Sequence, residues 1–306
     1  MVKNLKKDEK LWGDDPFSLQ EGLRNISDAR EHSIAKNFYR DGFVHLSDVL
    51  DSGVCDAAVN SYRNWCDSHR KDMYGIRGDT RNPRVVNLHS DSDEVKRLFT
   101  SSQFLLNVLD LLFGYRASVY TSLTFQYGTE QPFHRDTPVF RTAPEEFYFG
   151  VWFALEDANK ENGCLRVLKG GHKGGRVDQY SFAEELVSDV NQIQPGGKGL
   201  WVPYQNAVVE KCWEEGGVSE EYLEAKKGDV VIWHPQLPHG GSPIRDASKT
   251  RMSVVYHVVP ERVPVYQADV FFNRSKSNAS LESDKSYYEF EGREFMRTVP
   301  PRFGSN

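Results

Sequence analysis

The segment "EQPFHRDTPVF" (130–140) places His134 and Asp136 two residues apart. In an extended strand, residues i and i+2 point the same way, so an imidazole and a carboxylate can be aimed at one point. An H-x-D pair is weak evidence by itself, because chance occurrences are common. A third ligand is on offer in "WHPQLPHGGSP", a turn that follows the strand-like "GDVVIW", as either His234 or His239. Spacing favours His239, since His234 ends the strand directly and suits a turn or a supporting role. Two histidines and one carboxylate on one face of an ion leave three positions open, the arrangement of non-haem Fe(II) centres that use O2. A closed zinc site needs a fourth protein ligand, and none of Cys55, Cys66, Cys164 and Cys212 is placed to supply it.

Arg251 lies twelve residues past His239, beyond the turn "SPIRDASK", and opens the strand "RMSVVYHVV". One hairpin turn brings that strand back beside the histidine. A buried guanidinium with no carboxylate near it in sequence needs a partner, and a dicarboxylic cosubstrate gripped by two parallel hydrogen bonds would be one. Ser253 shares the Arg251 face and can donate to the same carboxylate. In "FYFGVWFALED", Phe147, Phe149, Val151, Phe153 and Leu155 form one apolar face; Tyr148, Gly150, Trp152 and Ala154 form the other. The small residues beside Trp152 leave room for a ligand, although from its pattern alone Trp152 reads as a plain core residue.

These residues need a scaffold. Up to about residue 115 the pattern is mostly helical: "DAREHSIAKNFYRDG" stops at Gly42, Ser52 offers an N-cap to the next apolar stripe, and "SSQFLLNVLDLLFG" runs from a serine to Gly114. Short strands, "GFVHLSDV" and "RVVNLH", fall between, and "SDSDE" reads as a helix N-terminus. From residue 116 the segments become short, β-branched and aromatic. "ENG" (161–163) between two of them predicts a hairpin with positive φ at both turn positions. Residues 172–228 read as a long irregular insertion or lid over the site. Residues 261–306 form a C-terminal extension whose polar tail wraps the surface or is partly mobile. The expected fold is an α+β chain with an all-β core spanning 116–260, a β-sandwich or barrel with N-terminal helices packed on one face, all in a single domain over 1–306.

The chain has 306 residues and a net charge of −6. That balance disfavours a broad nucleic-acid surface. The early lysines have no apolar run behind them, and no stretch approaches a membrane span. The cysteine spacing suits neither a zinc ribbon nor a disulfide framework, so reduced thiols, a cytoplasmic location and a monomer or homodimer are expected.

Taken in order, "PFHRDTP", "VWFALEDANKENGCLRVLKGGHK", "KKGDVVIWHPQLPHGGSP" and "RMSVVYHV" closely resemble the phytanoyl-CoA dioxygenase (PhyH-like) family of Fe(II)/2-oxoglutarate oxygenases, from about residue 35 to 260. The resemblance implies a double-stranded β-helix (jelly roll, cupin-like) with N-terminal helices packed on one sheet, iron held by His134, Asp136 and His239, 2-oxoglutarate gripped by Arg251 with Ser253 beside it and lined by Trp152, and O2 as the second cosubstrate. Gln126 stands where relatives often carry a lysine near the cosubstrate. Relatives commonly read His-Gly-Ser after the third ligand; here Gly241 holds the serine's place and Ser242 follows it. Related halogenases replace the ligand carboxylate with a small residue, so Asp136 implies hydroxylation or a kindred oxidation of a small molecule. No basic cluster near the site suggests a phosphate clamp, while Phe133, Phe140 and Tyr148 admit an apolar or ring-bearing substrate. Of the remaining histidines, His172 suits a turn, His257 a core or cavity position, and His89 a surface or supporting place. The competing readings are a cupin-like hydrolase or isomerase without cosubstrate, and a non-catalytic β-sandwich that binds a partner.

Overall fold

Side-chain carboxylates and hydroxyls start most of the helices. In the computed structural model, which describes residues 9–75, 84–137, 139–190, 193, 197, 199–266, 271–272 and 286–304, helix α1 (Pro16–Arg24) is capped by Asp15 and α2 (Ala29–Asp41) by Asp28. Gly42 ends α2 at φ +88°, a conformation that favours glycine. Strand β1 (Phe43–Leu46) follows, then α3 (Ser52–Ser68). Asp51 caps α3 by accepting from Gly53 N at 2.7 Å, so the expected cap Ser52 becomes the first helical residue instead. After β2 (Val85–Val86) come α4 (Asp93–Thr100) and α5 (Gln103–Phe113), capped by Ser92 and Ser102. The strands β3 (Ala117–Phe125), β4 (Arg141–Thr142), β5 (Phe149–Ala154) and β6 (Leu165–Lys169) follow. Helices α6 (Gln179–Leu186) and α7 (Trp201–Glu215) precede β7 (Ser219–Leu223), β8 (Val230–Trp233), β9 (His239–Gly241) and β10 (Ser253–Pro260). The described chain closes with β11 (Val265–Tyr266), β12 (Tyr287–Phe290), β13 (Arg293–Met296) and β14 (Arg302–Phe303).

The architecture is mixed α+β around a nine-stranded sheet. Its order runs β1-β8-β5-β10-β3-β13-β12, with β2 paired to β3 and β14 to β2. A three-stranded sheet has the order β7-β6-β9, and β4 pairs with β11. From β5 to β10 the chain alternates between the two larger sheets, except where β7 joins β6 in the small one. Two expected hairpins are therefore absent. "ENG" carries the chain from β5 in the large sheet to β6 in the small one, and of Asn162 and Gly163 only the glycine has positive φ, at +82°. Asn162 instead donates to the carbonyls of Asp157 and Thr250 and braces the crossover. "SPIRDASK" likewise crosses from β9 in the small sheet to β10 in the large one. Turn chemistry marks a reversal; it does not say which sheet receives the next strand.

The alternation of β5 divides two cores. Phe149, Val151 and Phe153 face the helical layer, where Phe113 stacks on Phe149 at 3.9 Å and Phe38 meets it edge-on at 5.0 Å. Trp152 and Ala154 face the space between the sheets, with Val231, Trp233 and Val255 from the large sheet and Leu165, Val167 and Leu223 from the small one. Residues 172–228 hold two helices and β7, so they are not irregular; 191–192, 194–196 and 198 of that stretch lie outside the described residues. The expected tail contributes β13 beside β3 and β14 beside β2, so its described part extends the large sheet; 273–285 lie outside the described residues. No helix among the described residues is long and apolar enough to cross a membrane.

Gly150 pairs with His257 on one side and Trp233 on the other. A Cβ built there would lie 2.0 Å from Trp233 Cε2, so the indole occupies the space that the sequence suggested was free for ligand. Gly150→Ala is expected to destabilise the fold by about 1–3 kcal/mol through overpacking. Urea unfolding checks this; unchanged stability would show that the Trp233 ring moves aside without cost.

Candidate metal centre

His134 and His239 are joined through their backbones. His134 N donates to His239 O and His239 N donates to His134 O, each at 3.0 Å. This small antiparallel bridge sets the two imidazoles side by side, with ring centroids 4.7 Å apart. Each ring is also fixed by its own chain: His134 Nδ1 donates to Pro132 O at 2.9 Å and His239 Nδ1 to Leu237 O at 3.0 Å. A carbonyl only accepts, so Nδ1 carries a hydrogen in both rings and Nε2 is the nitrogen available to an ion. Asp136 completes the group, and one ligand atom from each of the three residues lies within 4.8 Å of the others.

The Asp136 carboxylate is buried, which by itself raises its pKa. The imidazoles of His239, His257 and His134, with a hydrogen bond from His257, outweigh that and hold it well below the usual carboxylate range. Oδ2 receives Trp233 Nε1 and His257 Nε2, each at 3.1 Å. An ionised carboxylate only accepts, so His257 Nε2 carries the proton. Burial lowers the pKa of His239 to about 4, which keeps its lone pair free near neutral pH.

A cavity of about 540 Å³ opens over the group, within the range of small-molecule sites. Arg251 lines it with 2% exposure, its guanidinium 5.7 Å from the Trp152 ring centroid. Its Nη1 donates to Gly163 O at 2.9 Å and its Nη2 to Ser253 Oγ at 3.4 Å, while Nε has no partner. Burial pulls the pKa of this arginine down to about 10. Trp152 Nε1 in the same wall is unpartnered too. Each such buried donor costs about 1–3 kcal/mol if left unsatisfied, and both are suited to an acidic ligand.

The structure thus brings His134, Asp136, His239, Arg251 and Trp152 to one cavity. Ser253 is fully buried and reaches it only through Arg251. The Gln126 side chain is not part of the cavity wall; its carbonyl accepts from Arg251 N at 2.8 Å and anchors the start of β10. A side chain at Gly241 would collide with Glu130 N at 2.8 Å, and Gly240 is pressed on Gln131 O in the same way, so the departure from His-Gly-Ser has a steric cause. Ser242 is buried against Cys164, away from the cavity. His234 is held by Asp14 at 3.1 Å, outside the group. His172 hydrogen-bonds Tyr39 O, joining its loop to α2. His89, expected at the surface or in support of the site, is fully buried in the main core beside Tyr256 and Phe295. Of the three aromatics assigned to the substrate, only Phe140 lines the cavity, stacked on His257 at 3.7 Å. Phe133 lies under Arg166, and Tyr148 belongs to the main core; Pro138 lies outside the described residues.

Two supports had no signal in the sequence. Trp233 reads as a strand residue, and only Gly150 beneath it lets its indole reach Asp136. Arg135, between the two ligands, is buried with its guanidinium on the carbonyls of Gly171, Gly174 and Gly175. Gln205 of α7 accepts from Arg135 N at 2.8 Å and donates to Arg135 O at 2.9 Å. That pair of bonds clamps α7 to the ligand segment, and Trp201 at the start of α7 lines the cavity. Trp233→Phe keeps the ring and removes the donor to Asp136. It is expected to weaken Mn(II) binding ten- to hundredfold, as loss of a ligand's supporting bond typically does; calorimetric titration with unchanged affinity would contradict this role.

Among known proteins, a Phytanoyl-CoA dioxygenase domain-containing protein 1 homolog from Dictyostelium discoideum is 24% identical over 149 residues, covering 49% of this chain and 48% of its own. A 2-aminoethylphosphonate dioxygenase from the uncultured bacterium HF130_AEPn_1 is 22% identical over 231 residues, covering 72% of this chain and 79% of its own. The chain spans about half or less of the phytanoyl-CoA dioxygenase relatives it matches. The solved structure of the non-heme alpha ketoglutarate dependent epimerase SnoN from nogalamycin biosynthesis has the same fold, with a TM-score of 0.57 at 17% identity over 88% of this chain and 98% of that one. The family model described as Phytanoyl-CoA dioxygenase (PhyH) matches residues 38–253, which include the triad, Arg251 and Ser253, and the chain belongs to that family.

Proposed function

We propose that this chain is an Fe(II)/2-oxoglutarate-dependent dioxygenase that hydroxylates a small molecule. The observation that carries the reading is one cavity holding both a His-Asp-His group and a buried arginine without a carboxylate partner. The donor set fits iron: two imidazoles and one carboxylate, with no fourth protein ligand in the group among the described residues. The arginine fits a dicarboxylate, since its Nε and the Trp152 N–H lack partners. Family membership and the likeness to SnoN support the same cofactors. The alternation of strands between two sheets supports the jelly-roll reading, with 1–306 as one domain.

Bound there, iron and 2-oxoglutarate supply the oxidation of substrate by O2, with succinate and CO2 as co-products. The protein's own part is positional. His134 and His239 present Nε2 because their Nδ1 hydrogens are tied to backbone carbonyls. Trp233 and His257 hold Oδ2 of Asp136, orienting the carboxylate toward the imidazoles. Arg251, beside Trp152 and with Nε unpartnered, would hold a carboxylate of the cosubstrate. Leu123, Phe125 and Val255 make an apolar wall that keeps water from the reacting centre. The presence of Asp136 supports hydroxylation over halogen transfer, because no ligand position is vacated for halide. The helical insertion 172–228 supports a cover over the site, with Trp201 as its inner edge.

Succinate formation from 2-oxoglutarate, screened against a metabolite library with Fe(II), tests this. His134→Ala is expected to lower turnover at least a hundredfold. Arg251→Ala is expected to raise the KM for 2-oxoglutarate at least tenfold, the loss expected for a buried charge pair. Full activity in Arg251→Ala would favour a metal enzyme that uses no cosubstrate.

A further inference from the structure

The main cavity has a second cationic flank. Arg84, next to β2, and Arg302, in β14, are 218 residues apart in sequence but both line it. Strand pairing brings them together: Arg302 stands opposite Val86, and Arg84 O accepts from Gly304 N at 2.8 Å. The register continues across the large sheet, Val86 facing Leu123, Leu123 facing Val255, and Val255 facing Trp152. All five residues of that row line the cavity. Four strand spacings separate Arg302 from Trp152, about 19 Å between backbones. Arg251 packs at the Trp152 end, so the two cationic ends are distinct.

Neither Arg84 nor Arg302 pairs with a carboxylate among the described residues, and Arg84 Nε is buried without a partner. Burial alone lowers the pKa of Arg84, with no neighbouring charge contributing. Among the described lining residues the charged groups are three arginines and one carboxylate, Asp136. A divalent metal and doubly charged 2-oxoglutarate cancel one another. Among the described residues two positive charges then remain, Arg84 half-buried and Arg302 exposed at the cavity rim, and an anion entering the cavity is drawn to them.

We infer that the substrate is a doubly charged acid whose anionic oxygens are held by Arg84 and Arg302, with its oxidisable carbon toward the triad. The inference rests on the oxygenase reading and names the substrate class of that site. A phosphoryl group and a pair of carboxylates share this chemistry, because a guanidinium fork matches either. The apolar residues between the two ends, Val86, Leu123, Val139 and Phe140, suit a hydrocarbon or ring portion.

The test is calorimetric titration of the full chain loaded with Mn(II) and 2-oxoglutarate, without O2, using phenyl phosphate, phenylmalonate and the neutral benzyl alcohol as probes. At pH 8 phenyl phosphate is a dianion, its second pKa being about 6. At least one dianion is expected to bind at least tenfold more tightly than benzyl alcohol, and the tighter of the two identifies the group. Arg84→Gln and Arg302→Gln are each expected to weaken that binding at least tenfold while 2-oxoglutarate affinity stays within twofold. Arg302 is exposed, so Arg302→Gln keeps the test decisive if loss of Arg84 disturbs β2. The inference is overturned if neither dianion binds, if benzyl alcohol binds as well, if both variants bind the dianion like the parent protein, or if the dianion only displaces 2-oxoglutarate. Failure of Mn(II) and 2-oxoglutarate to bind in the loading step would instead overturn the oxygenase reading.

Discussion

The carboxylate of Asp136 is held almost out of water, with the residue 7% exposed. An unpaired charge in that position costs several kcal/mol. Trp233 and His257 meet it at 3.1 Å, and the lone pairs of His134 and His239 face the same space. Hydrogen bonds offset part of the burial cost, and two imidazoles beside an anion make a donor set that suits a divalent cation. The surroundings follow from that constraint. Gly150 must lack a side chain so that Trp233 can reach the carboxylate, and His257 needs Phe140 stacked on it to keep its Nε2 aimed. The backbone bridge between His134 and His239 ties the ligand segment to β9 of the small sheet, while Trp233 and His257 come from the large one. The centre is therefore stitched across both sheets, and its geometry depends on how they face each other.

The same division organises the cavity. One face of β5 packs on the helices and carries most of the apolar core; the other faces inward with Trp152. Rigid elements thus hold the inner wall; the connection between β3 and β4 carries His134 and Asp136, and the first residue of β9 is His239. Helix α7 is not loosely laid over this arrangement. Its Gln205 makes both backbone hydrogen bonds of Arg135, so a displacement of α7 would be felt one residue from each ligand in that segment. Helix α7 and the ligand segment are mechanically one unit at this point.

Much of this was legible in the sequence, and the exceptions have physical causes. Capping residues and glycine stops marked α2, α4 and α5, because those signals are local. Alternation sorted the β5 side chains onto two faces, because strand periodicity is local too. The H-x-D pair and the later histidine turn were visible for the same reason. Pairing between distant segments was not. The hairpins expected at "ENG" and "SPIRDASK" became crossovers, since a turn residue dictates a reversal and not its partner. Helix α7 (Trp201–Glu215) has Leu200 at its N-cap with no side-chain cap, so the usual Ser, Thr, Asp or Asn signal is missing at its start. Trp233 reaches Asp136 across 97 residues, and Arg84 meets Arg302 only because β14 returns to β2. Gly241 stood out in the sequence as a departure from His-Gly-Ser without a visible reason; close contact with the backbone of Glu130 and Gln131 explains the glycine, and Ser242 packs on Cys164 away from the cavity.

The most direct measurement is an anomalous-difference map from crystals grown with Mn(II) and 2-oxoglutarate. The account predicts one strong peak bonded to His134 Nε2, His239 Nε2 and the Asp136 carboxylate. It also predicts 2-oxoglutarate density running from that peak to the Arg251 guanidinium. A peak at the His234–Asp14 pair, or 2-oxoglutarate bound away from Arg251, would contradict it.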